Sequence, residues 1–324
     1  MTADMPRARS AFPRRVAAAG HPGPKAADGG DGHTRAVLGK AAHENFPVAP
    51  FFLPRAWRTD LMAVYGYARL VDDIGDGDLA PGGIDAELLG LSRAQADDRP
   101  AMLDAFEADM YRIFDSSAEG PRHPLLHALR PTVRRCRLTP EPFLGLIEAN
   151  RQDQRVRRYA TYDDLLGYCE LSANPVGRLV LGVTGTTTPE RVRRSDAICT
   201  ALQIVEHLQD VAEDLGRDRI YLPAEDMKRF GVEESALAAP TGSAQVRALV
   251  AYEAERAGRL LDEGTPLVGS VHGRLKLLLA GFVAGGRAAL KAIAVAGHDV
   301  LPGPPKPAKL DLVREVGATL RREG

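Results

Sequence analysis

Acidic side chains recur at a fixed spacing in two distant stretches of this chain, and metal binding is the chemistry that such a spacing allows. Within residues 203–223, QIVEHLQDVAEDLGRDRIYLP, Glu206, Asp210 and Asp214 recur every fourth residue among apolar residues at helical spacing. On one helix these carboxylates would form a single stripe. Like charges four residues apart destabilise an isolated helix by roughly 0.2–0.5 kcal/mol per pair, so the stripe predicts a bound cation. Mg²⁺ is the natural candidate, because hard cations prefer oxygen ligands.

A second acidic pair stands far upstream, in residues 65–78, YGYARLVDDIGDGD. Asp72 and Asp76 are again four residues apart at the end of an apolar-periodic helix, with Asp73 beside them and Arg69 one turn earlier. A single pair of this kind is typical of a solvated helix face. Two pairs, each with an arginine nearby and each on a helix whose other face is apolar, indicate more than one Mg²⁺ ion and a bound diphosphate.

Composition limits the partners and the compartment. The 324 residues are 44% hydrophobic, enough for a substantial core, and 42 basic against 43 acidic residues argue against nucleic acid as the main partner. Three widely spaced cysteines predict neither a zinc site nor a disulfide framework, and favour a reducing compartment. Arg14 and Arg15 lack the apolar core of a signal peptide after them, and the apolar residues 277–286 are too few to span a membrane. We expect a cytoplasmic protein, soluble or peripheral at the membrane.

Helical periodicity runs through most of the chain and predicts one all-α domain over residues 37–301. Residues 1–36, rich in Gly, Pro, Ala and Arg, predict a disordered arm, and 302–324 a Pro-rich linker with a short helix at 310–320. Within the domain, helices are expected at about 56–76, 84–91, 102–114, 125–135, 140–159, 162–183, from 189 through the carboxylate stripe, 244–262 and 265–296. Alternating strands, repeats, a P-loop and a GxGxxG after a strand are all missing from the sequence.

Two local features each admit two interpretations. Asp153 lies among arginines between residues 151 and 158, which form either a solvated face or a basic rim beside a diphosphate. The helix that starts at 162, capped by Thr161 or Asp163, contains Pro175, which should kink or break it. The break serves either packing or a ligand that the released backbone groups can face.

Four motifs follow one another in an order that is typical of one enzyme family. They are HENF at 43–46, YxxARxxDDxxD at 65–76, RYATYDDLLGYC at 158–169 and QxxxxxxDxxxDxxxxRIYLP at 203–223. Over about residues 43–301 the chain resembles the squalene/phytoene synthases, the trans-isoprenoid head-to-head enzymes. The resemblance implies a single-domain, all-α helical bundle of the isoprenoid-synthase type with a central cavity, and a prenyl diphosphate as substrate.

The resemblance also implies roles for individual residues. Mg²⁺ would be held by Asp72, Asp76, Glu206, Asp210 and Asp214, and all of these except Glu206 would act in the ionisation of the diphosphate. The family usually has Asn where Glu206 stands, so this chain adds a charge to the metal site. The substrate-binding residues implied are His43, Asn45, Phe46, Tyr65, Arg69, Tyr159, Asn174, Arg178, Gln203, Arg219 and Tyr221.

Shorter stretches resemble one branch of the family, which makes hydroxysqualene in bacterial hopanoid pathways. They are ENFPVA at 44–49, RQD at 151–153, SANPVGRLVL at 172–181 and GHDVL at 297–301. In that branch the substrate is presqualene diphosphate and water ends the reaction, so no nicotinamide is needed. Other members usually carry an AGTVG-like stretch where ANPVG stands here, whereas the branch itself usually has Tyr at the place of His298.

The resemblance leaves two other functions open. One is the condensation of prenyl diphosphates to presqualene diphosphate, squalene or phytoene. The other is a non-catalytic helical lipid-binding or assembly factor, which the retention of both acidic pairs disfavours. Besides the prenyl diphosphate, the implied partners are neighbouring enzymes of squalene and hopanoid synthesis and the inner face of the membrane as a peripheral contact.

Overall fold

The computed structural model of the protein describes residues 37–43, 48–115 and 119–323. The arm predicted over residues 1–36 lies outside these residues. By their backbone contacts the described residues form two compact units, of which the first comprises the chain up to Gln154 together with Gly182–Gly185. The second comprises Arg155–Leu181 and the chain from Thr186 onward. The expectation of one domain over residues 37–301 stays a prediction.

The first unit consists of helices around one long, buried helix. Its helices are α1 (Arg55–Asp76), α2 (Ile84–Leu88), α3 (Arg99–Phe114), α4 (Pro124–Cys136) and α5 (Glu141–Asp153), with 3-10 turns at Lys40–His43 and Arg93–Gln95. α1 contacts α3, α4 and α5, and its Tyr67 hydroxyl donates to the carbonyl of Phe143, 2.9 Å away. Gly77 ends α1 in the left-handed conformation, and its N–H caps the carbonyls of Asp73 and Ile74.

The second unit contains the remaining helices. They are α6 (Tyr162–Ser172), α7 (Asn174–Val183), α8 (Pro189–Gln209), α9 (Val211–Leu215), α10 (Ala224–Phe230), α11 (Ala244–Gly264), α12 (Pro266–Gly269), α13 (Gly273–Val295) and α14 (Lys309–Arg322), with a 3-10 turn at Glu234–Ala238. The last two residues of α7, Gly182 and Val183, belong to the first unit. α8, α11 and α13 pack on one another, and a Cβ at Gly286 of α13 would lie 2.8 Å from Leu202 and 2.9 Å from Leu261. Among the described residues no β-strand occurs, and the all-α prediction is confirmed.

The C-terminal helix α14 is part of the second unit rather than a separate segment. It runs antiparallel to α13, since Lys276 near the start of α13 bonds the carbonyl of Glu323, and Lys291 near its end bonds Asp311, each at 2.6 Å. Within the described part of the chain, α13 alone is long and apolar enough to cross a membrane by length and composition. Half of that apolar window is buried inside the protein, as in a core helix.

Two predicted helices are wrong in their extent, and in a third the break expected at Pro175 is confirmed. The one expected over 140–159 ends at Asp153, because the backbone of residues 157–160 bonds the segment 220–225 instead of continuing the helix. The one expected over 162–183 is broken at Ala173, just before Pro175, and the capping by Thr161 is confirmed. The one expected over 265–296 is divided before Gly273, whose φ of 61° does not fit a helix. The sequence analysis missed α10.

Candidate active site

Asp72 lies in the last turns of α1 and is buried. Its Oδ1 accepts from the amide of Asn150, 3.2 Å away, and its Oδ2 has no hydrogen-bond partner among the described residues. Burial raises the pKa of Asp72 to about 7, and Asp76 and Asp73 add to this, whereas Arg69 and Asn150 oppose it. A buried carboxylate oxygen without a partner is a ligand that a cation would satisfy.

Asp73, in contrast to Asp72, is paired with basic side chains. It binds Arg69, which is fully buried, and it accepts from Lys40 Nζ at 2.6 Å. The two cations neutralise the charge of Asp73. Asp73 and Arg69 therefore help to hold the last turns of α1 in place. The prediction that Arg69 also contacts the substrate stays a prediction.

Asn150 holds Asp72 in place, and Gly75 makes room for it. A Cβ at Gly75 would stand 1.9 Å from Asn150 Oδ1, and Gln154 donates to the Gly75 carbonyl at 2.9 Å. The close approach of α5 to α1 therefore requires glycine at this position. Nothing in the spacing of Asn150 distinguished it, and the sequence analysis missed its role.

The other predicted substrate residues of the first unit are described in part. Tyr65 is buried on α1. His43 ends a 3-10 turn, but its side chain lies outside the described residues, as do Asn45 and Phe46. Their roles stay predictions.

In the second unit, the helix that carries Glu206, Asp210 and Asp214 is interrupted, but the three residues keep their helical spacing. α8 ends at Gln209 and α9 begins at Val211, so the expected single helix is wrong at Asp210. The amide of Asp210 nevertheless bonds the carbonyl of Glu206 at 3.0 Å, and that of Asp214 bonds the carbonyl of Asp210 at 2.8 Å. The three acidic residues thus remain one helical turn apart.

Beside the stripe lies an aromatic cluster of Tyr159, Tyr168, Tyr221 and His207. The His207 ring is stacked on Tyr221 with centroids 3.7 Å apart, and Tyr159 is stacked on the Tyr221 ring at 5.6 Å. Tyr168 contacts all three other rings, at 5.5 to 6.1 Å. The segments with Tyr159 and Tyr221, predicted as substrate-binding, are therefore brought together.

His207 connects this cluster to the acidic stripe. Its Nε2 lies 3.2 Å from the amide nitrogen of Gln203, and its Nδ1 lies 3.9 Å from Asp214 Oδ2. The His207 ring therefore lies between Gln203 and Asp214, with one nitrogen toward each. Sequence reasoning missed His207, although its place directly after Glu206 could have suggested it.

A small cleft opens at this place, with a cavity volume of about 10 Å³. It combines a carboxylate, an arginine and aromatic rings in one lining: His207, Val211, Asp214, Arg219, Ile220, Tyr221, Leu222 and Leu237. The lining thus places a basic and an acidic side chain beside aromatic and aliphatic ones.

A clamp of backbone and arginine bonds fixes the loop that carries Arg219 and Tyr221. The amide of Ile220 bonds the carbonyl of Arg157 at 2.9 Å, and Arg158 donates to the Asp218 carbonyl at 2.6 Å and its carboxylate at 2.9 Å. Asp218 itself has a φ of 60°, a conformation that Asp tolerates better than most residues. These contacts add to the loop's own turn bonds, in which the amides of Asp218 and Arg219 bond the carbonyls of Leu215 and Asp214.

Arg151, Arg157 and Arg158 are partly exposed and paired with carboxylates, as on a solvated face. Arg157 and Arg158 bind Asp218, and Arg158 also binds Glu234. In the first unit, Arg151 binds the carboxylates of Asp104 at 2.6 Å and Glu107 at 2.5 Å. Their charges serve the packing of loops and helices.

Asn174 and Arg178 follow the break between α6 and α7. The buried Asn174 accepts from the Thr200 hydroxyl at 3.0 Å, whereas Arg178 makes two bonds to Asp196, at 3.0 and 2.7 Å. Hydrogen bonding to Asp196 raises the pKa of Arg178. Asn174 is therefore placed in the interior, and Arg178 is committed to an ion pair in this structure.

Mg²⁺ fits the chemistry of the acidic residues. Among the described residues no three or more His, Cys, Asp or Glu side chains converge as a ready metal site. This is compatible with Mg²⁺, which is commonly bound by one or two carboxylates together with waters and substrate phosphates. The unpartnered Oδ2 of Asp72 is the observation that favours a cation in the first unit.

The fold is that of the isoprenoid synthases. The squalene synthase HpnC from Alicyclobacillus acidocaldarius superposes with a TM-score of 0.70 at 41% sequence identity, covering 82% of this chain and 95% of that one.

The sequence comparisons identify the family. Residues 40–314 match the family model of squalene/phytoene synthase. A hydroxysqualene synthase of Sinorhizobium fredii is 33% identical over 70% of this chain and 71% of its own length, and a phytoene synthase of Mycobacterium bovis is 31% identical over 71% and 70%. The chain belongs to the squalene/phytoene synthase family.

Proposed function

We propose that this enzyme converts presqualene diphosphate and water to hydroxysqualene and diphosphate. Similarity to the hydroxysqualene synthase of Sinorhizobium fredii supports the reaction. The ANPVG stretch at 173–177, which distinguishes the branch, coincides with the break between α6 and α7.

Removal of the diphosphate is the first requirement of this reaction. Asp72 and Asp76 in the first unit, and Glu206, Asp210 and Asp214 in the second, would hold Mg²⁺. Bound there, Mg²⁺ would neutralise the negative charge of the leaving diphosphate. Arg219, which lines the cleft with Asp214, adds a guanidinium that can donate to phosphate oxygens.

Loss of diphosphate leaves a cyclopropylcarbinyl cation, which rearranges and opens before a water captures it. The stacked faces of Tyr159, Tyr221 and His207 lie beside the cleft and can stabilise positive charge through their π systems. Their burial also limits the entry of bulk water.

The buried hydroxyl of Ser172 is the observation that supports the capture of the cation by water. Its Oγ has no hydrogen-bond partner among the described residues, and such a group costs roughly 1–3 kcal/mol unless a water satisfies it. It lies at the end of α6, where Pro175 has no N–H to give the carbonyl of Leu171. With its oxygen bound to Thr200, the Asn174 side chain has two amide hydrogens to offer. These groups suit one ordered water.

The decisive assay supplies presqualene diphosphate and Mg²⁺ without nicotinamide, in oxygen-18 water. We expect a labelled C30 alcohol as the main product. Squalene or phytoene as the main product would overturn the proposal, as would label-free alcohol.

Substitution of Ser172 tests whether its hydroxyl binds the water that captures the cation. Ser172→Ala removes the hydroxyl, so we expect the labelled alcohol to fall several-fold relative to unhydrated C30 products. The control is Ser195→Ala, another buried hydroxyl, which bonds the sulfur of Cys199. An unchanged product ratio in Ser172→Ala would exclude this hydroxyl from water binding.

Condensation of two prenyl diphosphates is the second candidate, favoured by the similarity to the phytoene synthase of Mycobacterium bovis. Incubation with farnesyl diphosphate or geranylgeranyl diphosphate alone tests it. Efficient consumption of either would move the enzyme to this reaction.

A further inference from the structure

Large apolar side chains are exposed at one end of the pair α13 and α14. Val295 at the end of α13 is 81% exposed, and Leu310 and Val313 at the start of α14 are 59% and 67% exposed. Leu310 and Val313 are three residues apart and share a helix face. We call Val295, Leu310 and Val313 the apolar tip.

The antiparallel packing of the two helices brings these residues to the same end. Lys291, one turn before Val295, bonds Asp311, the neighbour of Leu310, at 2.6 Å. At the opposite end, Lys276 bonds the Glu323 carbonyl. The tip is thus a feature of a fixed helix pair.

Basic residues flank Leu310 and Val313 of the apolar tip in the sequence. Lys306, Lys309 and Arg314 are exposed and have no ion pair among the described residues. Of the acidic residues close to them in sequence, Asp311 is paired with Lys291, and Glu315, next to Arg314, is partly exposed. The surface therefore combines exposed apolar groups with an excess of positive charge.

We propose that the apolar tip docks this protein on an anionic lipid bilayer. Apolar side chains flanked by lysine and arginine match an interface of acyl chains and anionic headgroups. A basic residue near such a surface contributes about 1 kcal/mol, so the three residues and the tip give weak, reversible binding. The inference goes beyond the proposed reaction and does not depend on which product the enzyme makes.

Docking at the tip would take place near the acidic stripe of Glu206, Asp210 and Asp214. Gln209, the neighbour of Asp210, donates to the carbonyl of Pro305 in the segment before α14, at 2.6 Å. An apolar product released on this side would meet the membrane directly.

Co-sedimentation of the full chain with phosphatidylglycerol vesicles, and with phosphatidylcholine vesicles, tests the proposal. We expect binding to the anionic vesicles that weakens as salt is raised, and little binding to the zwitterionic ones. Leu310→Glu with Val313→Glu should reduce binding at least tenfold. Lys306→Glu with Lys309→Glu should do the same.

Two controls separate docking from a general effect. Leu277→Glu changes an exposed apolar residue on α13 near its opposite end, and should bind as the wild type does. Turnover of detergent-dispersed substrate should be equal in all variants, which shows that they fold. Absence of binding to anionic vesicles at low salt, or equal loss in Leu277→Glu, would overturn the proposal. So would a wild-type dimer that the tip variants dissociate, since a second copy would then be the occupant.

Discussion

Two neighbouring aspartates in α1 show how far surroundings decide the role of a side chain. Asp73 is neutralised by Arg69 and Lys40, whereas Asp72 is buried with one oxygen unpartnered. The spacing of the acidic residues was readable from the sequence because helical periodicity is local. The partners Asn150 and Lys40 were not, because they come from distant parts of the chain.

This difference predicts opposite effects of the same substitution. Asp72→Asn should lower turnover at least 100-fold with little loss of stability, because it removes a buried charge that Arg69 and Asn150 compensate only in part. Asp73→Asn should instead destabilise the fold by roughly 3 kcal/mol, since it leaves the buried Arg69 with less compensation. Steady-state kinetics at saturating Mg²⁺ and urea unfolding separate the two. Near-normal turnover of Asp72→Asn would contradict the metal role.

His207 gives a second prediction at this scale. His207→Phe keeps a ring to stack on Tyr221 but loses the nitrogens that face Gln203 and Asp214. We expect the Mg²⁺ concentration for half-maximal activity to rise several-fold, with an unchanged melting temperature. His127→Phe, at an exposed position of α4, is the control. A Mg²⁺ titration identical to the wild type would show that His207 only fills space.

At the scale of the helices, the sequence predicted positions well and interruptions poorly. α1 and α11 lie close to their expected ranges, because their apolar residues recur at helical spacing. In the segment 157–160, the local sequence contains no signal that would end the helix predicted over 140–159. Its backbone bonds residues some sixty positions later, and long-range pairing of this kind overrides helix propensity.

The glycines of α13 provide a prediction about helix packing. Gly286→Ala should destabilise the protein by roughly 1–3 kcal/mol, because its Cβ would meet Leu202 and Leu261 at under 3 Å. Gly281→Ala, on the same helix with open space around it, should stabilise by up to about 1 kcal/mol. Thermal unfolding of both variants tests the pair. Equal effects of the two substitutions would contradict the close packing.

For the whole molecule, a buried cluster in the second unit predicts the pH dependence of stability. Arg256 lies 2.6 Å from Asp226 and 3.3 Å from Glu253, and thus serves two carboxylates. Burial is the main cause that raises the pKa of Glu253 from 4.5 to about 7, with Arg256 opposing it and Asp226 adding to it. The folded protein therefore holds this proton more tightly than the unfolded chain does.

It follows that the stabilisation from Glu253 is complete below pH 4.5 and is lost as the pH rises through about 7. Glu253→Gln should remove this loss, and at pH 8 the variant should be roughly 2 kcal/mol more stable than the wild type. Urea unfolding at pH 5, 6, 7 and 8 measures it. Glu255→Gln, which breaks an exposed pair with Arg259 on the same helix, should leave the pH dependence unchanged. Parallel curves for wild type and Glu253→Gln would contradict the prediction.

The path of the chain between the two units has a consequence for how the protein is made. Residues Gly182–Gly185 belong to the first unit, although they follow α6 of the second. A Cβ at Gly182 would lie 2.5 Å from Leu138, and Cys136 lies 3.9 Å from the carbonyl of Val183. On the ribosome the first unit therefore stays incomplete until part of the second has been synthesised. No single cleavage of the polypeptide divides it into two whole halves.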